Sequence, residues 1–168
     1  MKTLRLLLWD TCNRSCEGCC NKDWDLVNLP RISLNDMAQY DQIILTGGEP
    51  MIFPETLMAT IRSIRQAAPN SQIILYTAWV VAAFTAIDVL DMVDGMTVTL
   101  HEPDDVQYFE DFSSFIPLWM RRNRSLRLNI FDGVPMPEEQ YLSDWRVKSS
   151  IQWIENCPLP KNETFGRF

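Results

Sequence analysis

Short apolar runs alternate with amphipathic segments along most of the chain, and this alternation restricts the fold more than any other feature. Residues 3–9 form a dense apolar run stopped by Asp10-Thr11, the pattern of a buried strand feeding a polar loop. Residues 42–46 are a second run, Ile-Ile-Leu at its centre, ended by Gly47-Gly48. Pro54 opens a helical pattern over residues 55–68, with Leu57, Ile61 and Ile64 on one face and Pro69-Asn70 as its stop. The unit then recurs, with strands predicted over residues 72–77, 96–100 and 126–131 and helices over residues 80–92 and 104–122. Strands separated by helices at this spacing pair in parallel through right-handed crossovers. The expected class is α/β, a partial, open parallel β/α barrel of about five to six strands, since a closed eight-fold barrel takes about 250 residues. A single domain over residues 1–168 is expected, with its core over residues 1–133 and an irregular tail over residues 134–168, extended in part over residues 145–154. There is no internal repeat, low-complexity segment or linker.

Composition narrows the function classes. A hydrophobic fraction of 46% and a charged fraction of 22% suit a packed interior and exclude a disordered or fibrous chain. With 15 Lys+Arg against 22 Asp+Glu the net charge is -7, which offers phosphate backbones and anionic lipids no general attraction. Neither nucleic acid nor a membrane is an expected partner. Arg121, Arg122 and Arg124 form a local basic cluster, but they end a predicted helix, where cations complement the helix dipole. Asp104-Asp105 and Glu110-Asp111 read as capping and solvated residues of the same helix. Arg5 and Asp10 break the leading apolar run, no small-residue cleavage pattern follows, and residues 73–87 fall short of a bilayer span, so a cytoplasmic chain is expected. A single histidine, His101, disfavours hydrolytic triads.

Four of the five cysteines fall within residues 12–20. Cys12, Cys16 and Cys19 stand in a C-x3-C-x2-C spacing on one loop, just past the end of the first strand. Three thiolates so close can serve one metal centre, and iron-sulfur clusters are the cofactors most often held by cysteine alone. A cubane bound by three cysteines leaves one iron open. A closed zinc site wants four ligands; His101 is distant, and Cys20 is a fourth donor only if adjacent cysteines reach one tetrahedral ion. A cluster, a zinc ion and a ligand-free loop therefore all stand as readings, the donor set favouring the cluster. The crowding suits metal ligation better than a disulfide framework, and thiolate ligands need a reducing compartment. Cys157 stands alone and reads as a buried or free thiol.

The triple-cysteine loop after the first strand, with Thr46-Gly47-Gly48-Glu49-Pro50 ending the second, resembles the radical S-adenosylmethionine superfamily over residues 1–131. The resemblance implies that Cys12, Cys16 and Cys19 hold a [4Fe-4S] cluster whose open iron is chelated by the amino and carboxylate groups of S-adenosyl-L-methionine. It places Gly47, Gly48, Glu49 and Pro50 at that amino group. It further implies reductive cleavage to a 5'-deoxyadenosyl radical for hydrogen abstraction, and an electron donor of the flavodoxin or ferredoxin kind. Residue chemistry agrees, because glycines permit close approach and Glu49 suits an ammonium, although Gly-Gly-Glu-Pro alone is also an ordinary turn before a helix. Thr77, ending the third strand, stands where the superfamily contacts the methionyl or ribose part of the cofactor; its plain reading is a β-branched strand residue. His101, ending the fourth, would face the same mouth; its plain reading is a partly solvated, hydrogen-bonded histidine.

A narrower similarity points to the activating enzyme of anaerobic ribonucleotide reductase. It rests on Cys16-Glu17-Gly18-Cys19-Cys20-Asn21-Lys22 with Trp24, on Leu75-Tyr76-Thr77-Ala78-Trp79, and loosely on residues 146–152. This similarity implies activation of a glycyl-radical enzyme, hence a protein or peptide substrate able to complete an open barrel wall. The alternatives are radical modification of a peptide or small metabolite, and a non-enzymatic cysteine-metal module for zinc or electron transfer.

Overall fold

The apolar runs become parallel strands wherever both of their faces are covered. The computed structural model describes residues 1–168. Its strands are β1 (Thr3–Leu7), β2 (Gln42–Thr46), β3 (Gln72–Thr77), β4 (Gly95–Leu100), β5 (Ser125–Phe131), β6 (Arg146–Ile151) and β7 (Glu163–Arg167), in one sheet of order β6-β5-β4-β3-β2-β1-β7. The sheet is parallel and open, with β6 and β7 at its edges. Helices α1 (Leu34–Met37), α2 (Pro54–Ala67), α3 (Ala83–Met92), α4 (Asp105–Phe115) and α5 (Leu118–Asn123) fall between the strands in sequence. The α/β class and the open parallel sheet, of the kind a partial β/α barrel is built from, are those expected. The sheet has seven strands because β7 forms in the tail; no helix is long and apolar enough to cross a membrane.

The chain divides into two compact units, residues 1–74 with 153–168, and residues 75–152. In the first, β1 pairs with β2 from Thr3↔Gln42 to Leu7↔Thr46 and with β7 from Thr3↔Glu163 to Leu7↔Arg167. Leu4, Leu6, Ile43 and Leu45 are fully buried, as strands covered on both faces require. Leu57, Ile61 and Ile64 of α2 are buried too, one apolar stripe at helical spacing. The edge strand β7 is pinned by Arg5, which donates to Glu163 Oε2 from Nε at 3.0 Å and from a terminal nitrogen at 2.8 Å.

In the second unit β4, β5 and β6 pair in parallel over a core that includes Val98, Leu100, Phe109, Phe112, Leu128 and Ile130. The helix expected over residues 104–122 is two helices. Pro117 has no N–H to continue the ladder, so α4 stops at Phe115 and α5 begins at Leu118. The basic cluster acts on helix ends as expected, although on neighbouring ones. Arg121 donates to the carbonyls of Ile116 and Ser113 at 2.9 and 2.7 Å, past the end of α4 and within its last turn. Arg124 reaches the Leu90 and Asp91 carbonyls in the last turn of α3.

Candidate metal centre

The loop after β1 and the turn after β2 are joined backbone to backbone. Gly48 N donates to Trp9 O at 2.8 Å, Glu49 N donates to Thr11 O at 2.9 Å, and Trp9 Nε1 donates to Glu49 O at 2.9 Å. Contact this close explains both glycines. Gly47 has a φ of +147°, and a methyl group there would run into the Trp9 carbonyl. At Gly48 a methyl would run into the Thr11 carbonyl. Glu49 is buried, and its Oε1 accepts from Met51 N at 2.9 Å, capping the 3-10 turn Pro50–Ile52. Pro50, buried, opens that turn.

Between Leu7 and the 3-10 turn Cys20–Lys22 no helix or strand intervenes, and this irregular stretch carries all three predicted ligands. Cys12 is exposed; Cys16 and Cys19 are half-buried. Cys19 N donates to Cys16 O at 3.4 Å, which folds the interval from Cys16 to Cys19 into a turn. Lys22 then reaches back, its Nζ 2.6 Å from Cys16 O and 3.1 Å from Glu17 O. Asn21 Nδ2 donates to Gly47 O at 2.7 Å, tying the cysteine loop to the glycine turn. A few residues on, Asp25 caps the turn Leu26–Asn28, and hydrogen bonds from Asn28 side chain and backbone hold its carboxyl below the usual range.

The tail closes over this loop. Cys20 and Cys157 form a disulfide across 137 residues, and Trp24 Nε1 donates to Cys157 O at 3.3 Å. Gly18 lies against the Trp153 indole, so closely that a methyl there would meet the ring at 2.5 Å. Beside the third cysteine opens a groove of about 310 Å³ lined by Glu17, Gly18, Cys19, Lys22 and Trp153. The disulfide corrects the expectation that Cys157 is a lone thiol, and it removes Cys20 as the fourth donor that a closed zinc site would have needed. It also departs from the expectation that the crowded cysteines serve metal ligation and no disulfide, since Cys20 is one of those four.

Thr77 and His101 belong to the second unit. Thr77 is buried, and its hydroxyl accepts from Trp79 N at 2.9 Å in a turn at the end of β3. His101 follows β4 with its ring 4.5 Å from that of Phe131. Its backbone N–H and that of Glu102 donate to one oxygen of buried Asp105, at 2.8 and 3.0 Å. This corrects the expected capping and solvated role: the N-cap of α4 is Asp104, which makes no side-chain cap bond, and Asp105 is buried and accepts from the strand-end loop instead.

The structure does not gather Cys12, Cys16 and Cys19, or any other three thiol, imidazole or carboxylate groups, into a metal-holding cluster. It leaves these three cysteines outside the disulfide on one irregular loop, and in type and number they are donors that a [4Fe-4S] cubane takes, one thiolate to an iron. A family model described as a 4Fe-4S single cluster domain matches residues 3–111. The chain belongs to the 4Fe-4S single cluster domain family. The matched part of this 4Fe-4S domain takes in the cysteine loop, the glycine turn, Thr77 and His101. No curated protein matches the chain.

Sequence reasoning gave no part in the site to Asn21 and Lys22, which it quoted only for the narrower similarity, to Trp153, or to Cys157, which it read as a lone thiol. The first two immediately follow the cysteines, and a polar pair closing a ligand loop was the available signal. The last two lie far along the chain and left none.

Proposed function

We propose that this 4Fe-4S domain is a radical S-adenosylmethionine enzyme. The observation that carries the reading is the cysteine account: of five cysteines two are joined in the disulfide, which leaves Cys12, Cys16 and Cys19 for four irons. One iron then lacks a cysteine and is free to take an exchangeable ligand. When bound, the cluster supplies the single electron that splits the sulfonium of S-adenosylmethionine into methionine and a 5'-deoxyadenosyl radical.

The chain's own residues bind and orient. Cys12, Cys16 and Cys19 hold three irons. The turn of Gly47, Gly48, Glu49 and Pro50 receives the ammonium of S-adenosylmethionine, with the buried carboxyl of Glu49 beside it in sequence. Because the turn is bonded to Trp9 and Thr11, it is fixed before the ligand arrives, and little reorganisation accompanies binding. An electron donor of the flavodoxin or ferredoxin kind supplies the reductant. The substrate class is a protein or peptide, a glycyl-radical enzyme foremost, because an open sheet leaves wall for a large partner to complete.

Anaerobic reconstitution, reduction and chromatography of the products test the reading. Wild-type chain is expected to form 5'-deoxyadenosine and methionine in equal amounts, and Cys16→Ala neither. A full cluster in wild type with no 5'-deoxyadenosine above background would contradict it. A glycyl radical signal on adding a candidate reductase supports the substrate class, and consumption of a small metabolite without that signal replaces it.

A further inference from the structure

The cysteine loop and the glycine turn must keep a fixed distance if one ligand is to touch both an open iron and the turn. Few side chains can set that distance, since residues 12–19 carry no regular structure. Asn21 can. It lies two residues past Cys19 inside the 3-10 turn Cys20–Lys22, which is closed by Lys22 N donating to Cys19 O at 2.9 Å and Asp23 N donating to Cys20 O at 3.0 Å. From this firm base its amide reaches Gly47 O at 2.7 Å. Gly47 is firm too, because a turn with its φ is built only on glycine and packs on Trp9. The bond therefore joins two anchored points, one beside the third cysteine and one in the ammonium turn.

A carbonyl oxygen carries two acceptor sites. With one engaged by Asn21, the Gly47 carbonyl is held in a set plane and keeps its second site for another donor. We infer that Asn21 is a positioning residue, which aligns the Gly47 carbonyl with the open iron and so sets the affinity for the amino group of S-adenosylmethionine. The inference rests on the reading of the chain as a radical S-adenosylmethionine enzyme. It assigns Asn21 no role in holding iron; within the loop, Lys22 ties down the carbonyls of Cys16 and Glu17.

The test is an electron paramagnetic resonance titration of the reduced cluster with S-adenosylmethionine, alongside iron content and thermal unfolding of each protein. Wild type, Asn21→Ala and Asn21→Asp are compared, the last keeping the side chain's shape while unable to donate to a carbonyl. In wild type the signal is expected to shift on titration. In both variants iron per chain should match wild type while the concentration for half-conversion rises about tenfold, the effect of one lost hydrogen bond that orients a ligand group. Half-conversion at the wild-type concentration in both variants would overturn the inference. So would iron loss in Asn21→Asp with an unchanged melting temperature, which would make Asn21 a support of the cluster itself. A wild-type signal indifferent to S-adenosylmethionine is a different failure, which overturns the enzyme reading and this inference with it.

Discussion

After β1 the chain runs from Leu7 to Cys20 without a helix or strand, and distant residues hold that stretch in place: Asn21 on Gly47, Gly18 on Trp153, Cys20 on Cys157. After β3 and β4 near neighbours close the turns, Thr77 with Trp79 and Asp105 with His101 and Glu102, although the His101 ring also meets that of Phe131. The first arrangement keeps an irregular, cysteine-bearing loop ordered at a strand end, where parallel folds build their sites. The second pairs backbone N–H groups with side chains two to four residues away. The difference teaches that the cysteine loop depends on contacts far along the chain, as the turns after β3 and β4 do less.

Mutations can break or sharpen that contrast. The largest effect is expected at the three cysteines proposed as ligands: Cys12→Ala, Cys16→Ala or Cys19→Ala should each cut iron per chain after anaerobic reconstitution to about a tenth or less, measured by iron assay and visible absorption. His101→Ala should leave iron content unchanged. Next comes the disulfide. Cys157→Ser should lower unfolding stability by about 3 kcal/mol under non-reducing conditions, read from denaturant melts, and leave the iron content intact because Cys20, joined to Cys157, is not among the proposed ligands.

A third, smaller effect is expected at the glycine turn. Gly48→Ala drives a methyl into the Thr11 carbonyl and should cost about 2 kcal/mol. Gly133→Ala, at a φ of +82° with open space around it, should cost only about 1 kcal/mol of backbone strain in the same melts. The smallest is at the strand end of the second unit: Thr77→Val leaves the Trp79 N–H without its hydroxyl partner, for a loss of about 1 kcal/mol and no change in iron. An iron loss in Thr77→Val would erase the contrast between the two kinds of strand end.

The legible parts of the fold were those written in contiguous residues. β2 and β3 match their apolar runs at both ends, because turn or loop residues bound them on each side. Strand β7 was not legible: Glu-Thr-Phe-Gly-Arg has no apolar run, and it is a strand because β1 offers it an edge. The break at Pro117 was visible in sequence, but the apolar period on either side of it outweighed the missing N–H. In the site, the spacing of Cys12, Cys16 and Cys19 and the Gly47-Gly48 pair stood out. The Cys20–Cys157 bond did not, since 137 residues separate its ends. Glycine was expected at positions 47 and 48 for ligand approach, whereas the packing shows each is required by the backbone of residues 9–11.

Mössbauer spectroscopy of the chain reconstituted with ⁵⁷Fe tests the central claim most directly, that three cysteines hold a four-iron cluster and leave one iron open. The account predicts one iron distinct from the other three, whose signal alone changes when S-adenosylmethionine is added. Four equivalent irons that ignore S-adenosylmethionine would contradict it, and would make the chain a fully ligated cluster module.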